Sequence, residues 1–153
     1  MERISYESIS EEVLGGMMKN EEYLRNCGLN VKELDLMRFR VSQINNCAYC
    51  LDMHSKEAIH AGETPLRLYS VSAWREAPYY SEREKAILEF AEALTYLPER
   101  GVDDNLYSNM QKHFSNEEIA NLTLAVVQIN SWNRIVSCFR PTPGKYRVKQ
   151  LQS

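Results

Sequence analysis

The sequence has no long apolar stretch and no excess of positive charge. No uninterrupted apolar run approaches the ~18 residues of a membrane-spanning helix. The formal net charge is −3, so nothing indicates a surface for nucleic acid or for an anionic membrane. The opening residues, MERISYESIS, lack the apolar segment of a secretory signal peptide. We therefore expect a cytoplasmic protein without a membrane or nucleic-acid partner.

Cysteine is also scarce, with four residues among 153. Thiols stay reduced in the cytosol, so these four do not indicate a disulfide framework, and a close pair is more typical of a catalytic or metal-binding site. The chain contains no linker, low-complexity tract or internal repeat. Its 44% of hydrophobic and 25% of charged residues are typical of a soluble globular protein. We therefore expect one domain over residues 1–153.

Nearly every segment has the apolar periodicity of an α-helix. Two helices are marked by capping boxes, which pair Ser81 with Glu84 and Ser115 with Glu118. The last helix is apolar almost all round, which is typical of a central, buried helix. The tail after it is short, basic and expected to be extended. The pattern predicts an all-α bundle of about six to eight helices, with helical segments over residues 10–26, 31–44, 45–62, 64–77, 81–97, 103–114 and 115–139.

The stretch CAYCLDMH carries the strongest chemical signal. Asn45 or Asn46 is a predicted N-cap, which would put Cys47 in the first turn of a helix. Cys50 and His54 then lie within about 60° of Cys47 around the helix axis. A helix N-terminus and a nearby histidine lower a thiol pKa, and an imidazole with a pKa near ~6.5 can take the thiol proton. We favour Cys50 as the attacking thiol and Cys47 as the more exposed, resolving one.

Two other interpretations of this pair remain open. Cysteines on a helix can simply be small core residues. Cys47, Cys50 and His54 could also bind zinc, which needs a fourth ligand. The possible fourth ligands are Cys27, Cys138, Asp35 and water. Haem attachment is excluded as a motif, because Leu51 rather than histidine follows the second cysteine.

Several residues outside this stretch have plainer expected roles. Cys27 and Cys138 have no partner at a signature spacing, so we expect them to pack. Asn130 and Asn133 lie on an apolar helix, where we expect buried hydrogen bonds to satisfy them, the alternative being that they line the active pocket. Tyr79 and Tyr80 are expected to form an exposed aromatic pair at an interface.

Three segments together resemble the AhpD-like alkylhydroperoxidases of the carboxymuconolactone decarboxylase family. They are FRVSQINNCAYCLDMHSKEAIHAGE, LYSVSAWREAPYYSEREKAILEFAEALT and LTLAVVQINSWNR. The resemblance covers about residues 28–144 and implies an all-helical, homo-oligomeric protein (dimer, trimer or hexamer). It also implies a cysteine-based peroxidase or disulfide reductase that uses no metal, haem or other cofactor.

The resemblance also implies roles for individual residues. Cys50 would carry the sulfenic acid, Cys47 would close the disulfide and His54 would join a proton relay. A dithiol protein of the lipoyl or thioredoxin type would then reduce the pair. Asp35 stands where the family relay has a glutamate. From its local pattern alone, Asp35 could equally be a surface acid paired with Arg38.

The leading functional hypothesis is therefore an antioxidant thiol peroxidase that reduces hydroperoxides. The first alternative is a redox-sensing or binding subunit with little turnover. It is motivated by Asp35 in place of glutamate and by Tyr49, where some family members carry a second histidine. A zinc-binding structural domain is the remaining alternative.

Overall fold

The fold is entirely helical in the part of the chain that the structure describes. The computed structural model describes residues 1–148 and contains seven α-helices and no strand in that range. Short 3₁₀ turns span Tyr6–Ser8 and Val71–Ala73. The predicted all-α class is confirmed. In chain order the helices are α1 Glu12–Asn26, α2 Val31–Ile44, α3 Ala48–His60, α4 Pro65–Ser70, α5 Glu82–Thr95, α6 Asp104–Gln111 and α7 Asn116–Phe139.

The starts of α2, α5 and α7 follow from local side-chain chemistry. Helices α5 and α7 both have the predicted capping boxes, in which each N-cap serine and the glutamate three residues later satisfy each other's backbone N–H groups. Asn30 caps α2 by accepting a hydrogen bond from the Lys32 backbone N–H. Within residues 1–148, no helix combines the length and apolar character needed to cross a bilayer.

Helix α2 is central, because it packs against α3, α5 and α7. One of its faces joins the main apolar cluster, which is built largely from α2, α5 and α7. Its opposite face joins a second cluster with α3, α4 and α5. Representative buried side chains of the main cluster are Leu24, Met37, Val41, Phe90, Met110, Leu122 and Val126. The helix that precedes the cysteine pair is therefore held from both sides.

The prediction of one helix over residues 64–77 was wrong. Helix α4 ends at Ser70, and a 3₁₀ turn and loose turns follow it. The reason is tertiary, because Trp74 is buried in the second cluster and its indole N–H donates to Glu92 at 3.0 Å. A regular helix over residues 64–77 would have to place the Trp74 side chain in this same orientation. The packing of Trp74 outweighs the modest helix propensity of the segment.

The expected exposed pair of tyrosines was also wrong for one member. Tyr80 is buried at 3% exposure and packs beside Trp74 in the second cluster, whereas Tyr79 is partly exposed. The Arg67 guanidinium lies 4.7 Å from the centroid of the Tyr80 ring. Tyr80 therefore stabilises the core and is not available as an interface residue.

Helix α7 is central, but it is not buried on every side. Val127 is 53% exposed, while the polar Gln128 beside it is buried and donates to the Met17 carbonyl at 2.8 Å. Met18 and Tyr23 on α1 are also exposed. Such exposed apolar side chains fit the expected self-association, although the homo-oligomer and the single-domain organisation stay predictions.

Candidate active site

The cysteine pair follows the tight turn that joins α2 to α3. Asn46 has a positive φ of 52°, a conformation that asparagine tolerates better than most residues. The expected N-cap at Asn45 or Asn46 was wrong. Cys47 itself is the N-cap of α3, and its sulfur accepts the Cys50 backbone N–H at 3.4 Å. That contact and the N-terminal end of the helix dipole both stabilise negative charge on Cys47.

The two cysteines are joined as a disulfide. Their Cα atoms lie 5.3 Å apart, within the range that a disulfide can bridge. Both residues are buried, Cys50 at 1% exposure and Cys47 at 6%. The side chains that share their small cluster are Val136 of α7 and the partly buried Tyr49. Cys47 lines a cleft that opens to solvent, and Cys50 is not among the residues that line this cleft.

The cleft at Cys47 has a volume of about 440 Å³. Its walls come from the start of α3, the end of α7, the N-terminus and the proline-rich tail. The lining residues are Met1, Asn45, Asn46, Cys47, Ala48, Tyr49, Asn133, Val136, Ser137, Arg140, Pro141, Thr142 and Pro143. A small molecule or a slender side chain could therefore approach the disulfide from this side.

His54 lies one helical turn after Cys50 and is buried at 6% exposure. Neither of its ring nitrogens has a hydrogen-bond partner within residues 1–148. Burial, followed by the positive charge of Arg38, lowers the pKa of His54 to about 3. The ordinary imidazole pKa expected from the sequence is therefore wrong for the disulfide form, in which His54 is neutral.

Asp35 is not the surface acid that its local pattern allowed. It is buried at 4% exposure, and its carboxylate lies 3.7 Å from the Arg38 guanidinium. Burial raises the pKa of Asp35 to about 6, although Arg38 opposes that rise. Because His54 has no hydrogen-bond partner in the described chain, Asp35 and His54 are not directly bonded. Arg38 is a site residue that the sequence reasoning treated only as a partner of Asp35.

An amide network anchors the turn before Cys47 to α7. The Asn45 side-chain N–H group donates to Asn133 at 2.8 Å and to Asn130 at 3.0 Å. Asn133 donates in turn to the Ser42 hydroxyl at 3.2 Å. The expected satisfaction of Asn130 and Asn133 by internal hydrogen bonds is confirmed. This network fixes the backbone on one side of the cleft.

The tail crosses α3 and closes the other side. Asp52 accepts hydrogen bonds from the backbone N–H groups of Gly144 at 2.8 Å and Tyr146 at 3.2 Å. Lys56 donates to the Tyr146 carbonyl at 3.0 Å, and the Tyr146 hydroxyl donates to Glu57. Burial and the nearby Glu57 raise the pKa of Tyr146. The expected extended tail is thus held in place, which no local sequence signal revealed.

No metal-binding cluster of three or more His, Cys, Asp or Glu side chains occurs within residues 1–148. Cys47 and Cys50 are bonded to each other, so their sulfurs are not free thiolates in this form. Cys27 packs against the main cluster as expected, whereas Cys138 is exposed, so its predicted packing role was wrong. The described residues therefore provide no ligand set for the zinc site that the sequence left open.

The family model for the carboxymuconolactone decarboxylase family matches residues 11–93. The chain belongs to this family. The chain is similar to the uncharacterized protein YdfG of Bacillus subtilis (strain 168). The two are 42% identical over 134 residues, which cover 88% of this chain and 91% of YdfG. The resemblance drawn from the sequence is therefore confirmed.

Solved structures support the AhpD-like assignment within the family. A protein of unknown function from Agrobacterium tumefaciens, described as a candidate antioxidant defence protein AhpD, is 38% identical with a TM-score of 0.88. The match covers 97% of this chain and all of that one (100%). The debrominase Bmp8 has a TM-score of 0.77 at 15% identity over 88% of this chain and 72% of Bmp8. That likeness concerns the fold alone. Family membership and the joined cysteine pair together fit a peroxidase-like role.

Proposed function

We propose that this protein is a thiol-dependent peroxidase that reduces hydroperoxides with electrons from a dithiol. The observation that carries the proposal is the Cys47–Cys50 disulfide at the N-terminus of α3, reached through a cleft at Cys47. Two thiols that can form and break one bond supply the two electrons that a hydroperoxide needs. The proposed reductant is a dithiol protein of the lipoyl or thioredoxin type.

In the oxidative half of the proposed cycle, the Cys50 thiolate attacks the terminal oxygen of the hydroperoxide. The O–O bond breaks, the substrate leaves as an alcohol after taking a proton, and Cys50 becomes a sulfenic acid. The Cys47 thiol then attacks the Cys50 sulfur. Water is released and the disulfide forms, so the thiol pair has lost two electrons and the peroxide has gained them.

In the reductive half, a thiolate of the external dithiol attacks Cys47, because Cys47 is the cysteine that lines the cleft. The disulfide bond breaks and its electron pair leaves on Cys50. The second thiol of the reductant then displaces Cys47, which takes a proton. Both cysteines return to the reduced state and the external dithiol becomes a disulfide.

His54 and Asp35 are the proposed proton carriers. A negative Cys50 beside His54 would raise the histidine pKa from its low value in the disulfide form, because an opposite charge favours the imidazolium. Asp35 has a pKa of about 6 and so can exchange protons near neutral pH. Since the two side chains are not hydrogen-bonded to each other, the relay between them requires a bridging water.

The test compares three serine variants in a peroxide-consumption assay with dithiothreitol as reductant. Cys50→Ser is expected to lose turnover, whereas Cys47→Ser is expected to keep only a slower turnover in which dithiothreitol reduces the Cys50 sulfenic acid directly. Cys138→Ser is the matched control, because Cys138 is an exposed free thiol and should keep wild-type turnover. Unchanged turnover in Cys50→Ser would refute the mechanism.

The same variants assign the attacking sulfur. After one addition of peroxide, dimedone labelling and mass spectrometry are expected to find a sulfenic acid at residue 50 in Cys47→Ser. No sulfenic acid is expected at residue 47 in Cys50→Ser. The reverse pattern would make Cys47 the attacking thiol, which its N-cap position and its place in the cleft would then explain.

A redox sensor is the second candidate, and the burial of both sulfurs beside a weakly basic histidine favours it. In that case the disulfide would still form, but slowly. The rate constant of the reduced protein with hydroperoxide separates the two functions. A value no greater than that of a free thiol at the same pH would favour the sensor over the peroxidase.

A further inference from the structure

We propose that the cleft at Cys47 selects hydroperoxides that carry a carboxylate on an apolar body, and that Arg140 binds the carboxylate. The inference rests on the proposed peroxidase function and names the substrate class of that site. It is carried by the charge, the apolar surface and the fixed backbone of the cleft wall.

The cleft is positively charged within an acidic protein. Its lining includes Arg140 and Met1 and no aspartate or glutamate, although the chain has a net charge of −3. Other arginines already contact a carboxylate, since Arg40, Arg75 and Arg100 all pair with Glu92. Within residues 1–148, the Arg140 guanidinium forms no ion pair with a carboxylate, so it is available to an external anion.

Apolar surface lies in the same cleft as Arg140. Val136, Pro141 and Pro143 line the cleft together with the ring of Tyr49. These groups favour a hydrocarbon body over a fully hydrated anion. Hydrogen peroxide offers neither a carboxylate nor an apolar body, so it gains nothing from this surface.

The backbone that carries Arg140 is held at a defined position. Arg140 has a φ of 56°, and its N–H donates to the Val136 carbonyl at 2.8 Å. The Phe139 carbonyl accepts the N–H groups of Arg3 at 2.8 Å and Ile4 at 3.3 Å. These bonds satisfy carbonyls at the negative end of α7, which would otherwise oppose an anion.

The opposite wall also favours negative charge. Cys47 is the N-cap of α3 and lines the cleft together with Ala48 and Tyr49. The positive end of the α3 dipole therefore faces the same space as Arg140. A substrate held by its carboxylate at the rim could direct its peroxide group toward the cysteine pair.

The test uses two hydroperoxides that share one apolar body and differ at one group, the charged para-carboxycumene hydroperoxide and its neutral methyl ester. The wild-type kcat/KM is expected to be higher for the acid than for the ester, and the difference should shrink as salt is added. Arg140→Gln is expected to lower the acid-to-ester ratio roughly two- to fivefold, since an exposed ion pair contributes up to about that factor. Arg140→Lys is expected to keep most of the ratio.

The matched control is Arg147→Gln, which removes an exposed arginine of the same tail that lines a different groove. It should leave the acid-to-ester ratio at the wild-type value. A wild-type ratio of one, or an Arg140→Gln ratio equal to the wild-type ratio, would overturn the inference while the peroxidase function stands. If neither hydroperoxide were consumed, the proposed peroxidase function would be refuted. The absence of turnover with the neutral ester is what distinguishes this outcome from a failure of the charge selection alone.

Discussion

His54 and Asp35 are buried titratable residues on neighbouring helices, and burial favours the neutral form of each. His54 is neutral at pH 7 because burial lowers its pKa to about 3. Asp35 is mostly ionised at that pH, because its pKa rises only to about 6. The two residues therefore affect stability in opposite directions as pH changes.

For His54, the unfolded chain binds a proton that the folded protein excludes between pH ~6.5 and pH ~3. This contribution to stability is present above pH ~6.5 and is lost as pH falls. Relative to His54→Leu, the wild-type free energy of unfolding should drop by about 2–3 kcal/mol between pH ~7 and pH ~4.5. Urea unfolding at the two pH values measures this difference.

The control for that experiment is His60→Gln, because His60 is exposed on the same helix. Its pH dependence should match that of the wild type. A wild-type protein whose stability relative to His54→Leu does not change with pH would contradict the burial of a neutral His54.

For Asp35, the folded pKa of about 6 lies above the ordinary value of 3.8. Its favourable contribution is present below pH ~4 and is lost as pH rises through about 6. Asp35→Asn should therefore raise the free energy of unfolding by about 3 kcal/mol at pH 7 and by little at pH 4. If Asp35 also carries protons, the same variant should lose peroxidase activity at pH 7.

A structural role alone would not produce a variant that is both more stable and less active. Asp35→Glu keeps the carboxylate on the longer side chain of the family relay and should retain activity. Full activity in Asp35→Asn across the pH range would exclude the proton-carrying role.

The helices that form the site are specified to different degrees by their own residues. Helix α7 begins at a capping box, which is a local interaction between Ser115 and Glu118. Its presence and start could therefore be predicted from the sequence alone. The start of α3 could not, because its N-cap is a cysteine whose sulfur accepts the backbone N–H, and cysteine is not a typical capping residue.

Loss of the α7 cap should destabilise the protein by a measurable amount. Ser115→Ala removes the acceptor for the Glu118 backbone N–H and is expected to lower the free energy of unfolding by about 1 kcal/mol. Ser108→Ala, an exposed change inside α6, is the control and should have little effect or a slightly stabilising one. Equal stabilities of the two variants in urea would argue against the cap.

At the scale of the whole molecule, Glu92 connects segments that are distant in sequence. Its buried carboxylate accepts hydrogen bonds from Arg40 on α2, Trp74 and Arg75 after the 3₁₀ turn, and Arg100 after α5. Burial alone would raise the pKa of Glu92, but the bonds from Trp74, Arg75 and Arg40 outweigh it and hold that pKa at about 2. The sequence shows these charges but not their convergence.

Glu92→Gln should therefore be strongly destabilising. It leaves three guanidinium groups around a neutral amide, and breaking such a buried network costs about 3 kcal/mol or more. Glu89→Gln is the matched control, because Glu89 lies on the same helix, is half-exposed and reaches Arg75 only at 3.8 Å. Its expected cost is below about 1 kcal/mol. Similar unfolding midpoints for the two variants would contradict the central role of Glu92.

The sequence by itself determined the helical class, the main helix boundaries and the close approach of Cys47 to Cys50. Each of these depends on residues within a few positions of one another, through helical period, capping and the three-residue spacing. Only the tertiary structure decided that His54 and Asp35 are buried, that Arg38 lies beside Asp35 and that the C-terminal tail with Tyr146 is held on α3. The tertiary structure also decided that Arg140 lines the cleft at Cys47. Burial and pKa depend on groups brought together from distant parts of the chain, and no local pattern encodes that proximity.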